Sequence, residues 1–158
     1  MYKEYVKHPR YGDKPKYSGN EYSLDEILQS HWHYDRESIF PETAIPANID
    51  KQNYSLFPCK IYVDIEKKCR ECGRWFIFYA QEQKYWYEDL GFAIDSDCVK
   101  CIDCRKKEQA IKHMMLKYEK LVKNDNRTEK ETKELKNLAL ELLQLGYIKN
   151  KHKIDRIS

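Results

Sequence analysis

The sequence predicts a small α+β fold, and three observations support this prediction. Two cysteine pairs, Cys69-x-x-Cys72 and Cys101-x-x-Cys104, have the spacing of ligands for one metal ion. The run WFIFY at residues 75–79 has the aromatic and β-branched composition of a strand. Two long segments in the C-terminal half carry apolar residues at helical spacing. We expect a metal-stabilised module, followed by an α-helical hairpin and preceded by an extended N-terminal arm.

The cysteine pairs predict one structural zinc site. Zn²⁺ takes four tetrahedral ligands, and each CxxC turn brings two thiolates to one ion. Gly73 follows the first pair and can take the positive φ that such a turn needs. The second pair opens a helix-like run, whose N-terminal N–H groups favour thiolate charge. A turn followed by a helix start is the ligand order of a treble-clef (zinc-ribbon-like) site. Four thiolates also accept iron, so the choice between zinc and iron stays open.

Two further cysteines need a place. Cys98 and Cys101 also form a CxxC pair, so Cys98 is an alternative ligand that can replace Cys101 or Cys104. Cys59 lies in an apolar run and is interpreted as a small buried hydrophobe. The first ten residues are polar, and no apolar run reaches the ~18 residues of a membrane span. We therefore expect a cytoplasmic protein that does not enter a membrane, and disfavour disulfide and redox roles.

The amino-acid composition says little more about the fold or the partner. The chain has 158 residues, of which 41% are hydrophobic, which is enough for a modest core that a metal would help to stabilise. The formal net charge of +3 is too small to establish a nucleic-acid partner. Thirteen tyrosines and three tryptophans are many for this length, and they fit either a core or an interface.

We divide the chain into three regions. Residues 1–60 hold an extended arm to residue 22, a short helix capped by Ser23 and ending near residue 31, and a Pro-rich loop, all packing on the core. The arm interleaves tyrosines and bases, which can pack on the domain or stack on single-stranded nucleic acid. Residues 61–123 form the zinc module, ending in a long helix. Residues 124–158 form a C-terminal helix and a basic tail, with Lys149, Lys151, Lys153 and Arg156.

Elements inside these regions follow from local signals. Residues 61–65 and 75–79 read as strands, and a short helix from Ala80 is ended by Gly91. Thr128 caps the last helix, and Gly146 ends it. We predict that the two long helices pack through apolar stripes: Ile111, Met114, Met115, Tyr118, Leu121 and Val122 on the first, and Leu135, Leu138, Leu142 and Leu145 on the second.

The central segment resembles a known family. The string CRECGRWFIFYAQEQKYWYE, a later Gly91-Phe92 and the closing CIDCR are similar to the uncharacterised bacterial probable zinc-ribbon, or treble-clef, zinc-binding domain. The resemblance covers about residues 62–106. It implies that Cys69, Cys72, Cys101 and Cys104 are the metal ligands, and it implies no catalytic activity. Cys98 and the longer return loop depart from the family pattern.

Basic residues surround the predicted site. They can neutralise the thiolates, or they can contact phosphates. As candidate binding residues we name Arg74, Lys100, Arg105, Lys106, Lys107 and Lys112. We expect a non-enzymatic module that binds DNA, RNA or a protein, and no small-molecule substrate. One alternative is a regulatory zinc-finger protein that binds a protein partner such as the transcription machinery. Another is a metal-ion nuclease that uses His33 or His113, which we disfavour because no histidine lies between the cysteine pairs.

Overall fold

The computed structural model describes residues 3–148. The chain divides into two compact units, Met1–Cys104 and Arg105–Ser158. The elements in chain order are α1 (Leu24–Ser30), β1 (Ile39–Pro46), β2 (Ile61–Lys68), β3 (Trp75–Phe78), α2 (Ala80–Lys84), α3 (Ile102–Lys123) and α4 (Glu129–Gln144). A 3₁₀ turn lies at Ile49–Lys51, and a π-helical turn at Tyr85–Asp89 continues α2. No helix among the described residues is long and apolar enough to cross a membrane.

The three strands form one antiparallel sheet in the order β1-β2-β3. β2 is central, and its Ile65 lies opposite Ile39 of β1 and Phe78 of β3. The prediction of a loop around Pro41 and Pro46 is wrong, because these prolines lie within β1. β1 is an edge strand with an irregular register after Phe40, and proline is tolerated at such an edge because its missing N–H removes no ladder bond.

The predicted helix signals are confirmed. Ser23 caps α1, since its hydroxyl accepts a hydrogen bond from the backbone N–H of Glu26 at 3.1 Å. Thr128 caps α4 through the N–H of Glu131, also at 3.1 Å. Directly after Leu145, the C-cap of α4, Gly146 has a φ of +86°, the left-handed conformation that ends many helices. These local contacts satisfy backbone groups that would otherwise lack partners at the helix ends.

The N-terminal residues from 3 onward lie against the sheet of the first unit. The backbone N–H of Val6 donates to the carbonyl of Trp75 at 2.9 Å, beside the β3 edge. The N–H of Lys16 donates to the Asp64 carboxylate at 2.8 Å. Tyr17 is exposed, while the Tyr11 ring lies 5.4 Å from the ring of buried Tyr79. Most aromatic contacts of this segment are therefore internal, and Tyr2 lies outside the described residues.

The second unit packs around Leu121 of α3 and Leu135 and Ala139 of α4. Tyr118, Leu138, Leu143 and Ile148 lie against this cluster. Of the predicted apolar stripes, Leu121, Leu135 and Leu142 are buried, while Met115, Val122 and Leu145 are exposed and the other members are half-buried. Met115 and Val122 lie seven residues apart on the same side of α3, and Leu145 is the C-cap residue after the end of α4. The predicted basic tail beyond residue 148 lies outside the described residues.

Candidate metal centre

The first cysteine pair sits on a tight turn between β2 and β3. The N–H of Cys72 points at the Cys69 sulfur at 3.5 Å, and the N–H of Gly73 donates to the Cys69 carbonyl at 3.0 Å. Gly73 has a φ of +76°, as predicted. A residue with a side chain would be strained at this φ, so the glycine allows the turn to bring Cys72 back beside Cys69.

The second pair spans the start of α3. Cys101 directly precedes the helix and Cys104 lies in its first turn, as predicted. Cys69 and Cys101 are buried, Cys104 is half-buried and Cys72 is exposed. The buried sulfurs pack against the aromatic side chains of Phe76 and Phe78 on β3. The sheet thus forms one wall of the cluster.

The four sulfurs of Cys69, Cys72, Cys101 and Cys104 all lie within 4.8 Å of one another. The Cys72 and Cys101 sulfurs are 3.8 Å apart. With metal–sulfur bonds of about 2.3 Å, tetrahedral geometry requires sulfur separations of about 3.8 Å. The four side chains therefore fit one metal ion after small adjustments. Among residues 3–148 no other group of three histidine, cysteine or acidic side chains is placed to hold a metal.

The central segment also matches a known family. Residues 63–113 match the family model described as a probable treble clef domain. This segment is a treble-clef domain. The match covers less than half of the chain, so the N-terminal segment and most of the second unit lie outside it. No curated protein and no solved structure matches the chain.

The four thiols of the treble-clef domain have unequal proton affinities. Burial raises the pKa of Cys69, but backbone N–H donors at Cys72, Cys101 and Glu71 outweigh it and lower that pKa to about 6. Burial and the neighbouring sulfurs instead raise the pKa of Cys104 to about 12. Four like charges this close repel one another, and a divalent cation among them removes that repulsion.

Arg74 of the treble-clef domain lies over the exposed side of the cluster. Its Nε donates to the Cys72 sulfur at 3.3 Å, and its guanidinium also contacts the Asp103 carboxylate at 3.2 Å. Nearby, the Lys100 ammonium lies 4.0 Å from Glu71. Two of the predicted binding residues are thus engaged inside the domain. The sequence analysis did not predict the contact between Arg74 and Asp103, although an acidic residue between two cysteines indicates a possible partner for a nearby base.

The remaining predicted binding residues lie on α3, in the second unit. Lys106, Lys107 and Lys112 are exposed, and Arg105 is half-buried. Their exposure leaves the lysines accessible to an external partner.

The other two cysteines have structural surroundings. Cys98 is buried in the cluster that includes Val6 and Phe76, and its thiol lies 3.4 Å from the Lys100 carbonyl. It is not one of the four clustered sulfurs. Cys59 is buried as predicted and donates to the Ile61 carbonyl at 3.1 Å. Burial raises the pKa of Cys59 to about 11, so it stays a thiol at neutral pH.

Two polar residues of the family string tie the treble-clef domain together. Gln83 is buried and donates to the carbonyls of Val63 at 2.7 Å and Phe78 at 3.0 Å, joining the ends of β2 and β3. Glu82 contacts the His8 ring at 2.8 Å and so holds the N-terminal segment. Both contacts lie away from the CxxC turn, so neither residue positions a cysteine directly.

Asp64 is the residue that the sequence analysis missed. It is buried in β2, where its carboxylate accepts hydrogen bonds from the N–H groups of Ala80 at 2.7 Å and Lys16 at 2.8 Å. Its own N–H donates to the Thr43 hydroxyl at 2.8 Å. Burial raises the pKa of Asp64 to about 6. The only signal for it in the sequence is an acid inside the apolar run IYVDI.

Proposed function

We propose that the protein is a non-enzymatic, zinc-stabilised binding module whose partner is nucleic acid. In this proposal the treble clef, a hairpin of α3 and α4, and the N-terminal arm form the module. The observation that carries the zinc assignment is the cluster of four sulfurs within 4.8 Å. Four protein ligands fill a tetrahedral Zn²⁺ and leave no position for a substrate or an activated water. The ion therefore stabilises the fold and performs no chemistry.

Arg74→Ala is expected to weaken Zn²⁺ binding about tenfold. The exposed guanidinium donates to Cys72, and loss of a partner that hydrogen-bonds a ligand typically costs 10- to 100-fold in affinity. Competition with a chromogenic zinc chelator measures the effect. Arg70→Ala is the matched control, because Arg70 is exposed on the same turn and its backbone N–H, which donates to the Val99 carbonyl at 2.9 Å, is kept in the variant. Equal zinc affinity in the two variants would contradict a role for the Arg74 contact.

The nucleic-acid part of the proposal rests on the charge of α3. Between residues 105 and 123 the chain has seven basic and two acidic residues, and Lys106, Lys107 and Lys112 are exposed. A helix with this excess of cations attracts a phosphate backbone and releases counterions when it binds. Arg74 contacts a cysteine sulfur directly, so neutralising thiolate charge explains its position. The same explanation does not cover the exposed lysines of α3.

Reversing the charge of Lys106, Lys107 and Lys112 to Glu is expected to weaken oligonucleotide binding at least about tenfold and to flatten its salt dependence. Fluorescence anisotropy with a labelled oligonucleotide, titrated at several salt concentrations, measures both effects. All three lysines are exposed on the helix surface, so the fold is expected to be retained, and zinc content verifies this. The control replaces three exposed lysines of α4, Lys130, Lys133 and Lys136. Equal losses in both triple variants would contradict a specific role for α3.

A second candidate is an adaptor that binds a protein. The observation that favours it is exposed apolar surface on α3, where Leu116 is 63% exposed beside exposed Met115. Affinity purification with and without nuclease distinguishes the two functions. A partner that stays bound after nuclease treatment and is lost with Leu116→Ser supports the adaptor.

A further inference from the structure

A groove of about 350 Å³ lies in the first unit, where the end of α1 approaches the chain just before β2. Its lining includes two large exposed aromatic side chains, Trp32 and Phe57, which are 75% and 79% exposed. Lone exposed aromatics are ordinary, but two rings on one groove form a concave aromatic surface. These residues lie outside the segment that matches the treble-clef model.

Local contacts hold the Trp32 indole in place. Its ring stacks on the His31 imidazole, with centroids 5.9 Å apart and an angle of 22° between the planes. His31 is fixed in turn, because its Nδ1 accepts a hydrogen bond from the His33 N–H at 3.2 Å. Phe57 is followed by Pro58, whose ring restricts the backbone at that point. A preordered aromatic ring loses little conformational entropy when a ligand stacks on it.

The polar lining of the groove favours an anionic partner. Lys60 lies in it, is exposed and forms no ion pair with any described residue. No side chain that the structure places in the lining is a carboxylate. Gln29, also in the lining and exposed, offers both a donor and an acceptor. Aromatic rings beside an uncompensated cation are the composition of surfaces that stack bases and hold the adjoining phosphate.

We propose that this groove binds single-stranded nucleic acid by stacking a base on Trp32 and Phe57, with Lys60 at the neighbouring phosphate. The inference rests on the proposed function for the class of partner, but it assigns a different surface and a different contact. The lysines of α3 would contact phosphates only, so they would bind a normal strand and an abasic strand equally well. The groove makes binding depend on an unpaired base.

The test compares two labelled 12-nucleotide probes of equal charge, oligo(dT) and an abasic strand, at one salt concentration. The wild-type protein is expected to bind oligo(dT) about tenfold more tightly, since stacking on one ring typically gives several-fold to 100-fold per base. Trp32→Ala and Phe57→Ala each reduce this ratio toward one, whereas Trp32→Phe retains most of it. The Lys106, Lys107 and Lys112 reversal weakens both probes and leaves the ratio unchanged.

The outcomes separate the groove from the proposed function. If both probes bind with equal affinity, the groove proposal is wrong, while the proposed nucleic-acid-binding function is retained. A ratio that survives both alanine variants also overturns the groove. If neither probe binds at low salt, both proposals fail. If sedimentation shows a wild-type dimer that Trp32→Ala dissociates, the groove is a protein interface and the inference is wrong. Both rings are exposed, so their truncation is not expected to unfold the chain, and a thermal melt verifies this.

Discussion

Cys101→Ser is expected to abolish stoichiometric zinc binding and to unfold most of the first unit. Cys101 is fully buried and is one of four clustered sulfurs, so its loss leaves only three cysteine ligands for the ion. Structural zinc contributes roughly 10–16 kcal/mol to folding in small zinc modules, which is comparable to the whole ~5–15 kcal/mol stability of a typical domain. Elemental analysis and circular dichroism measure metal content and fold. Excess chelator added to the wild-type protein is expected to reproduce the loss.

Cys98→Ser is the matched control. It makes the same chemical change at a buried cysteine that lies three residues earlier and outside the four-sulfur cluster. We expect a loss of stability of about 1–3 kcal/mol, because a hydroxyl replaces a thiol in an apolar cluster, and one zinc per chain is retained. Zinc lost with Cys98→Ser and kept with Cys101→Ser would contradict the ligand assignment. Iron in place of zinc in the wild-type protein would contradict the metal assignment.

Asp64→Ala is expected to destabilise the protein by about 2–4 kcal/mol at pH 7. The substitution leaves the buried N–H groups of Ala80 and Lys16 without an acceptor, and each such loss costs about 1–3 kcal/mol. Part of that cost is offset, because a buried carboxylate is no longer desolvated. Urea unfolding of the zinc-loaded protein measures the difference. Asp89→Ala, at an exposed acid of the same unit, is the control and should change stability little.

The difference in stability between the wild type and Asp64→Ala is also expected to depend on pH. The pKa of Asp64 is raised to about 6 in the folded state, so the folded protein binds its proton more tightly than the unfolded chain does. Stability contributed by this group therefore falls as pH rises from about 4 through 6. We expect the advantage of the wild type over Asp64→Ala to be about 1.4 kcal/mol larger at pH 5 than at pH 7.5. A constant difference across this range would show that Asp64 has no raised pKa.

The metal cluster was predictable because its determinants are local. A CxxC turn, a glycine after it and a helix start each act over a few residues, and together they place four sulfurs. The structural role of Asp64 was not predictable from the sequence. Its carboxylate accepts hydrogen bonds from the backbone N–H groups of Lys16 and Ala80, which lie beside it only in the folded protein. β1 was missed because its prolines are acceptable only at an edge, and edge position is a property of the whole sheet.

Exposure was the other quantity that the sequence did not reveal. Met115 and Val122 were assigned to the core, because helical periodicity alone interprets apolar residues at this spacing as buried, but both are exposed. Phe57 lies in an irregular segment before β2, where no periodicity predicts exposure or burial. How much of a helix face its neighbour covers depends on packing. The sequence therefore located the metal site well and the surfaces available to partners poorly.

The hydrogen bond from Val6 to Trp75 also bears on how other chains can approach this sheet. β3 lies at one edge, and an open edge is a template on which a foreign peptide can add a strand. Here the protein's own N-terminal segment takes the Trp75 carbonyl and buries Val6 beside it. A peptide that extends the sheet at this point must first displace that segment. The N-terminal segment therefore competes with any added strand for the β3 edge.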